Sequence, residues 1–169
     1  MAAHEKAGQS DEWYTPPWIF KALGCRFDLD VSSPGQHVTP WVPAKRFLTA
    51  DSLSQEWRGM VWMNPPFGGR NAVLPWVRKF VAHRNGIALM PNRTGAEWWH
   101  HWAHGCDVLL FVQGKIRFLR PDGSEGRSPG YGNVLGAAGK VASRVLAFAG
   151  ISGVLVSHHD AAEVASNAA

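Results

Sequence analysis

Cysteine is scarce in this chain: Cys25 and Cys106 are the only two, too few for a disulfide framework. No charged start followed by an apolar run marks a leader, and no stretch approaches the roughly 18 consecutive apolar residues of a membrane span. The expectation is a cytoplasmic protein in a reducing, intracellular setting, with no membrane partner. Acidic residues are outnumbered, 13 against 17 Lys and Arg, for a net charge of +4, a balance that suits a polyanionic partner without proving one. Metal-ligand patterns are nearly absent. His100, His104 and Cys106 sit at tolerable spacing, but no H-E-x-x-H and no second ligand pair accompany them, so no metal is expected.

What is present is apolar and aromatic. At 169 residues and 46% hydrophobic, the chain is long enough for one core, and nine of its residues are Trp. Residues 1–10 and 160–169 carry almost no large apolar groups and read as flexible ends around a single domain over 11–159. Within it, Thr15 followed by Pro16 and Pro17 has the form of an N-cap with proline in the first turn, and Gly24 supplies the stop of a short helix. Residues 26–30, 46–49, 59–64, 86–91 and 107–112 read as strands, 73–83 and 95–105 as helices between them. Trp98, Trp99 and Trp102 follow helical spacing and read as core. The closing segments 133–138, 140–150 and 151–157 read as strand, helix and strand. Alternation of this kind predicts an α/β fold with a mostly parallel sheet and helices on both faces. Gln113 to Lys115 reads as a turn into 115–119, an antiparallel hairpin at the sheet edge, and 120–132 as a polar, glycine-rich loop.

In such a sheet ligands sit beyond the carboxyl ends of the strands. Asp28 and Asp30, Asp51, and the run Asn64, Pro65, Pro66, Phe67 all fall near such ends. The Asn64 side-chain oxygen is an acceptor. Prolines remove backbone donors and fix the turn, so the Pro65 carbonyl can be left unpaired. Two converging acceptors suit an incoming NH2 group, and Phe67 can stack on the ring that carries it. The plain reading of the same residues is a rigid proline turn, with Asp51 or one of the strand carboxylates merely capping a helix.

The segments DEWYTPPWIFKALG at 11–24, FDLDVSS at 27–33, NPPFGG at 64–69, GKIRF at 114–118 and GYGNVLGAAG at 130–139 carry a further signal through their order. Together the chain resembles the phage-type Dam DNA adenine methyltransferases, which use S-adenosylmethionine, over about residues 11–139. The resemblance implies a Rossmann-like methyltransferase fold and places Asn64, Pro65, Pro66 and Phe67 at the target base. Tyr14, Thr15 and Pro16 would lie at the methionine part of the cofactor, Asp28 or Asp30 at its ammonium or ribose, and Asp51 at its adenine amine. One departure stands out: VSSPGQH follows FDLD, with no glycine-rich turn of the kind usual in larger methyltransferases. The partner implied is DNA, with Arg70, Arg93, Lys115 and Arg117 the first candidates for phosphate contact and Arg120 and Arg127 behind them. No room is left for a large recognition domain, so a short or loose target, or help from a second copy in a homodimer, is expected. The rival readings are a catalytically inactive nucleic-acid-binding module, and transfer to cytosine, RNA or a protein glutamine.

Overall fold

The computed structural model describes residues 13–68, 72–126 and 130–158. The expected loose ends, and Arg70 and Arg127 among the phosphate candidates, lie outside the described residues. Seven strands form one sheet in the order β2-β1-β3-β4-β6-β5-β7: β1 (Phe27–Asp30), β2 (Ala44–Phe47), β3 (Val61–Met63), β4 (Gly86–Pro91), β5 (Val108–Val112), β6 (Asn133–Ala138) and β7 (Gly153–Ser157). The helices are α1 (Pro17–Leu23), α2 (Leu74–His83), α3 (Glu97–His104) and α4 (Lys140–Ala147).

The expectation of a mostly parallel sheet needs correction. β1 pairs in parallel with β2 and β3, and β3 with β4, but β6 is antiparallel to both β4 and β5, and β7 is antiparallel to β5. The antiparallel ladders pair more residues than the parallel ones. Insertion of β6 between β4 and β5 is a long-range choice that local periodicity does not encode. It leaves β1 to β5 running in one direction, so the carboxyl ends of β2, β1, β3 and β4 stand side by side.

Side chains of a strand alternate between faces, and here both faces are covered. Trp62, Ile87, Leu89, Leu110 and Leu135 pack with Ile19, Phe20 and Leu23 of α1 and Ala142 and Leu146 of α4. Val61, Met63, Ala88, Met90, Leu109 and Val134 pack with Val77 and Phe80 of α2 and Trp99 and Trp102 of α3. All six residues of β4 and of β6 are buried, which explains why GIALMP reads as a continuous apolar run. Phe20 meets the Trp62 ring edge-on at 4.8 Å, an arrangement that adds about 0.5–1.5 kcal/mol to the area it buries.

Two local expectations fail. Thr15 is not the cap of α1: the N-cap is Pro16, and no side chain caps the helix. Gly24 does stop it, at φ 60°, donating to the Phe20 carbonyl. The edge hairpin of 107–119 does not form either. After β5 the chain turns at Gly114, φ 78°, and Ile116 is buried in the core on the α1 side. Leu119 then bridges Tyr14 on one side and Glu125 on the other, so 115–126 folds back on itself and ties down the N-terminal segment.

Candidate active site

The turn after β3 is held from its neighbour. Ser32, two residues beyond β1, donates its hydroxyl to the Asn64 carbonyl at 2.8 Å and accepts from the Asn64 amide at 3.2 Å. The Asn64 side-chain nitrogen donates to the Trp13 carbonyl at 3.2 Å. A carbonyl can only accept, so the NH2 end of the side chain must face Trp13, and Oδ1 is the end left over. Neither Oδ1 nor the Pro65 carbonyl receives a hydrogen bond among the described residues. Asn64 is half-buried, Pro65 buried and Pro66 exposed. The half-buried Phe67 ring lies 6.3 Å from Trp98 of α3, tilted by 41°. The structure thus assembles a fixed amide, a donor-free proline turn and an aromatic pair at one strand end.

Trp13 is set from the other side. Tyr14 exchanges both backbone hydrogen bonds with Leu119 at 2.9 Å. At Gly126 a Cβ would come within 2.3 Å of the Trp13 ring, so the glycine permits the indole to lie there. Thr15 is buried, its carbonyl accepts from the Trp41 indole at 2.9 Å, and its hydroxyl is buried without a partner among the described residues. That orphan hydroxyl is a group a ligand could satisfy.

The three candidate carboxylates part company. Asp28 lies near the amino end of β1, paired with Lys45 at 2.7 Å and accepting from the Met60 amide at 2.8 Å. The Lys45 hydrogen bond, then the Met60 amide, hold its carboxyl below the usual range. It works as a clamp between β1, β2 and the approach to β3, at the other end of the sheet from Asn64. Beside it lies a cleft of about 300 Å³ lined by Lys45, Arg46, Arg58 and Gly59, which is therefore remote from the NPPF turn. Asp30 ends β1, is 3% exposed, and is pushed by burial up to about 7. Its partners are the Ser32 amide at 3.3 Å and the Ser33 hydroxyl, and no cation is paired with it among the described residues. Asp51, past the end of β2, is exposed and left-handed at φ 51°. Its carbonyl accepts from the Ser54 and Gln55 amides, and its carboxylate has no partner among the described residues. An N-cap role for it is not what forms.

Arg93, just past β4, stacks over Tyr131 at 5.0 Å, and the adjacent Asn92 amide donates to the Gly132 carbonyl at 2.8 Å. It therefore borders the same strand ends. Lys115 is exposed after β5, and exposed Arg117 pairs with Glu125 at 3.4 Å, so part of its charge is already answered. His100 turns to the Thr94 carbonyl at 2.7 Å and Cys106 is buried; no cluster of His, Cys, Asp or Glu among the described residues is arranged for a metal. No helix among the described residues is long and apolar enough to cross a membrane. Trp13, Ser32 and Trp98 border the candidate site, a place the sequence pattern did not assign to any of them. Only the Trp-rich spacing of α3 carried a signal, and it pointed to the core, where Trp99 and Trp102 do lie.

Geometrically the strand end sets an amide oxygen with no hydrogen bond among the described residues beside an aromatic pair, in a chain whose α/β sheet carries helices on both faces. The family model for DNA N-6-adenine-methyltransferase (Dam) matches residues 2–137, and the chain belongs to that family. Membership carries the general activity, methylation of adenine in DNA. No curated protein and no solved structure matches the chain significantly.

Proposed function

We propose that the protein transfers a methyl group from S-adenosylmethionine to the exocyclic amine of an adenine swung out of the DNA stack. The observation that carries this reading is the Asn64 amide, whose nitrogen is committed to Trp13 and whose oxygen is not committed to anything described. The adenine amine donates to Asn64 Oδ1 and to the Pro65 carbonyl. Those bonds draw its nitrogen away from planarity and localise a lone pair that the ring otherwise withdraws; as that pair bonds the methyl carbon, the carbon–sulfur pair would leave with the thioether and the amine's surplus proton would pass to solvent. Phe67, backed by Trp98, stacks on the ring and offsets the few kcal/mol spent in unstacking it. Arg93, Lys115 and Arg117 supply phosphate contacts.

The residues present fit the methyl donor. Asp30, a buried carboxylate with no cation paired to it among the described residues, and Thr15, a buried hydroxyl with no partner among them, are what an ammonium and a polar ligand would complete. Tyr14 and Pro16 flank Thr15, and the exposed Asp51 carboxylate would accept from the donor's adenine amine. Asp28, clamped at the far end of β1, takes no part. When bound, the donor supplies an electrophilic sulfonium methyl. The protein's share is alignment and exclusion of water, and alignment of this kind is worth on the order of 7–11 kcal/mol of barrier.

The test is transfer from methyl-labelled donor to unmethylated duplex DNA, RNA and whole-cell protein in parallel. Label in DNA alone supports the proposal. DNA binding with no label in any acceptor indicates an inactive binding module, and label in RNA or protein assigns another substrate.

A further inference from the structure

The turn that carries Asp51 is gripped from the neighbouring helix by one side chain. Lys79 of α2 donates to the carbonyls of Ser52 at 3.0 Å, Leu53 at 2.9 Å and Gln55. All three ammonium donors are thereby used. The carbonyls belong to one helical turn, closed by the Ser54 and Gln55 amides donating to the Asp51 carbonyl at 2.9 and 3.2 Å. Carbonyls aligned at the end of such a turn make a negative pole, which a cation answers. The same ammonium lies 4.9 Å above the Trp57 ring, whose indole donates to the Ser52 carbonyl at 3.0 Å and hydroxyl at 3.1 Å. One turn along α2, His83 meets the Gly59 carbonyl at 2.8 Å and stands edge-on to Trp57. Apart from the His83–Gly59 bond, which anchors the chain just beyond it, these contacts converge on a segment whose first residue, Asp51, is a non-glycine in left-handed backbone. Such backbone persists only where the surroundings over-determine it.

Resting on the proposal that Asp51 holds the methyl donor, we infer that Lys79 is a positioning residue. It locks the 51–57 turn so that Asp51 is preformed for the donor, and sets donor affinity without touching the donor itself. An arginine at 79 keeps the charge but spreads its donors in a planar fork, so it cannot serve three carbonyls converging on one point.

The experiment is calorimetric titration of S-adenosylmethionine, and of its demethylated product, into the wild type, D51A, K79M, K79R and D51A/K79M. Lys79→Met is expected to weaken binding about tenfold, with kcat at saturating donor nearly unchanged and Lys79→Arg recovering part of the loss. In the Asp51→Ala background Lys79→Met should cost nothing more. Hydrogen exchange at the Ser54 and Gln55 amides should accelerate in Lys79→Met. An equal loss from Lys79→Met with and without Asp51, or none at all, would overturn the inference. Unchanged affinity in Asp51→Ala overturns instead the assignment of Asp51. If Lys79→Met fails to fold, the same comparison with Lys79→Arg decides, since full affinity there contradicts a geometric role.

Discussion

Asn64 and Trp13, 51 positions apart in the chain, are joined by one hydrogen bond from a side-chain amide to a backbone carbonyl. That bond ties the NPPF turn to the N-terminal segment and leaves Oδ1 as the end of the amide without a partner among the described residues. Alanine at 64 should lower transfer by about 100-fold or more, the scale for losing one hydrogen-bonding group at a reacting centre, while the melting curve stays close to wild type. Aspartate at 64 keeps an acceptor but sets a carboxylate oxygen against the Trp13 carbonyl, so its activity should fall between the two. Rate measurements on both variants at saturating donor check the order.

Asp30 predicts an inverted pH response. Its carboxyl is raised by burial to about 7 from an ordinary 3.8. Between those values the folded chain keeps a proton that the unfolded chain releases, so Asp30 lowers stability as pH rises through the window, by at most about 1.4 kcal/mol per unit. Melting of the ligand-free protein at pH 5.5 and 8 should show this loss, and Asp30→Asn should flatten it and melt higher than wild type at pH 8. The same variant should bind S-adenosylmethionine more weakly, because a neutral amide cannot answer an ammonium.

Trp98 supports the Phe67 ring, and removing it should damage DNA turnover more than stability. Lost stacking is worth roughly 1–3 kcal/mol, so Trp98→Ala should lower kcat/KM for DNA about tenfold or more. A fluorescent adenine analogue at the target position should show a weaker unstacking signal. Unchanged kcat/KM would mean that Trp98 is only packing.

Gly136 in β6 faces crowded ground: a Cβ there would lie 2.4 Å from the Trp102 ring and 2.7 Å from the Cys106 sulfur. Both neighbours are buried, so Gly136→Ala should cost about 1–3 kcal/mol by overpacking, read as a lowered thermal midpoint with the site chemistry unaffected in the fraction that remains folded.

Much of the fold was legible in local pattern. GIALMP is a strand to the residue, and the apolar spacing of 73–83 matches α2 almost end to end, because a strand buried on both faces and an amphipathic helix write their periods directly into the sequence. The 115–119 hairpin failed because the turn at Gly114 is local while the partner of β5 is not: β6, which arrives more than 20 residues later, takes that edge. Thr15 had the right residue type for a cap, yet its hydroxyl is buried and Pro16 occupies the position. Asp28 and Asp30 looked alike at a spacing of two. What separates them is Lys45 and the Met60 amide, both distant in sequence. Asn64 stands out in the sequence because the NPPF pattern lies within four consecutive residues, whereas the groups that anchor it, the Trp13 carbonyl and the Ser32 hydroxyl, come from elsewhere in the chain.

The most direct measurement of the central claim is mass analysis of nucleosides from unmethylated DNA incubated with S-adenosylmethionine and either the wild type or Asn64→Ala. N6-methyladenine is expected from the wild type and almost none from the variant. Methylation of cytosine instead of adenine, or equal product from both proteins, would contradict it.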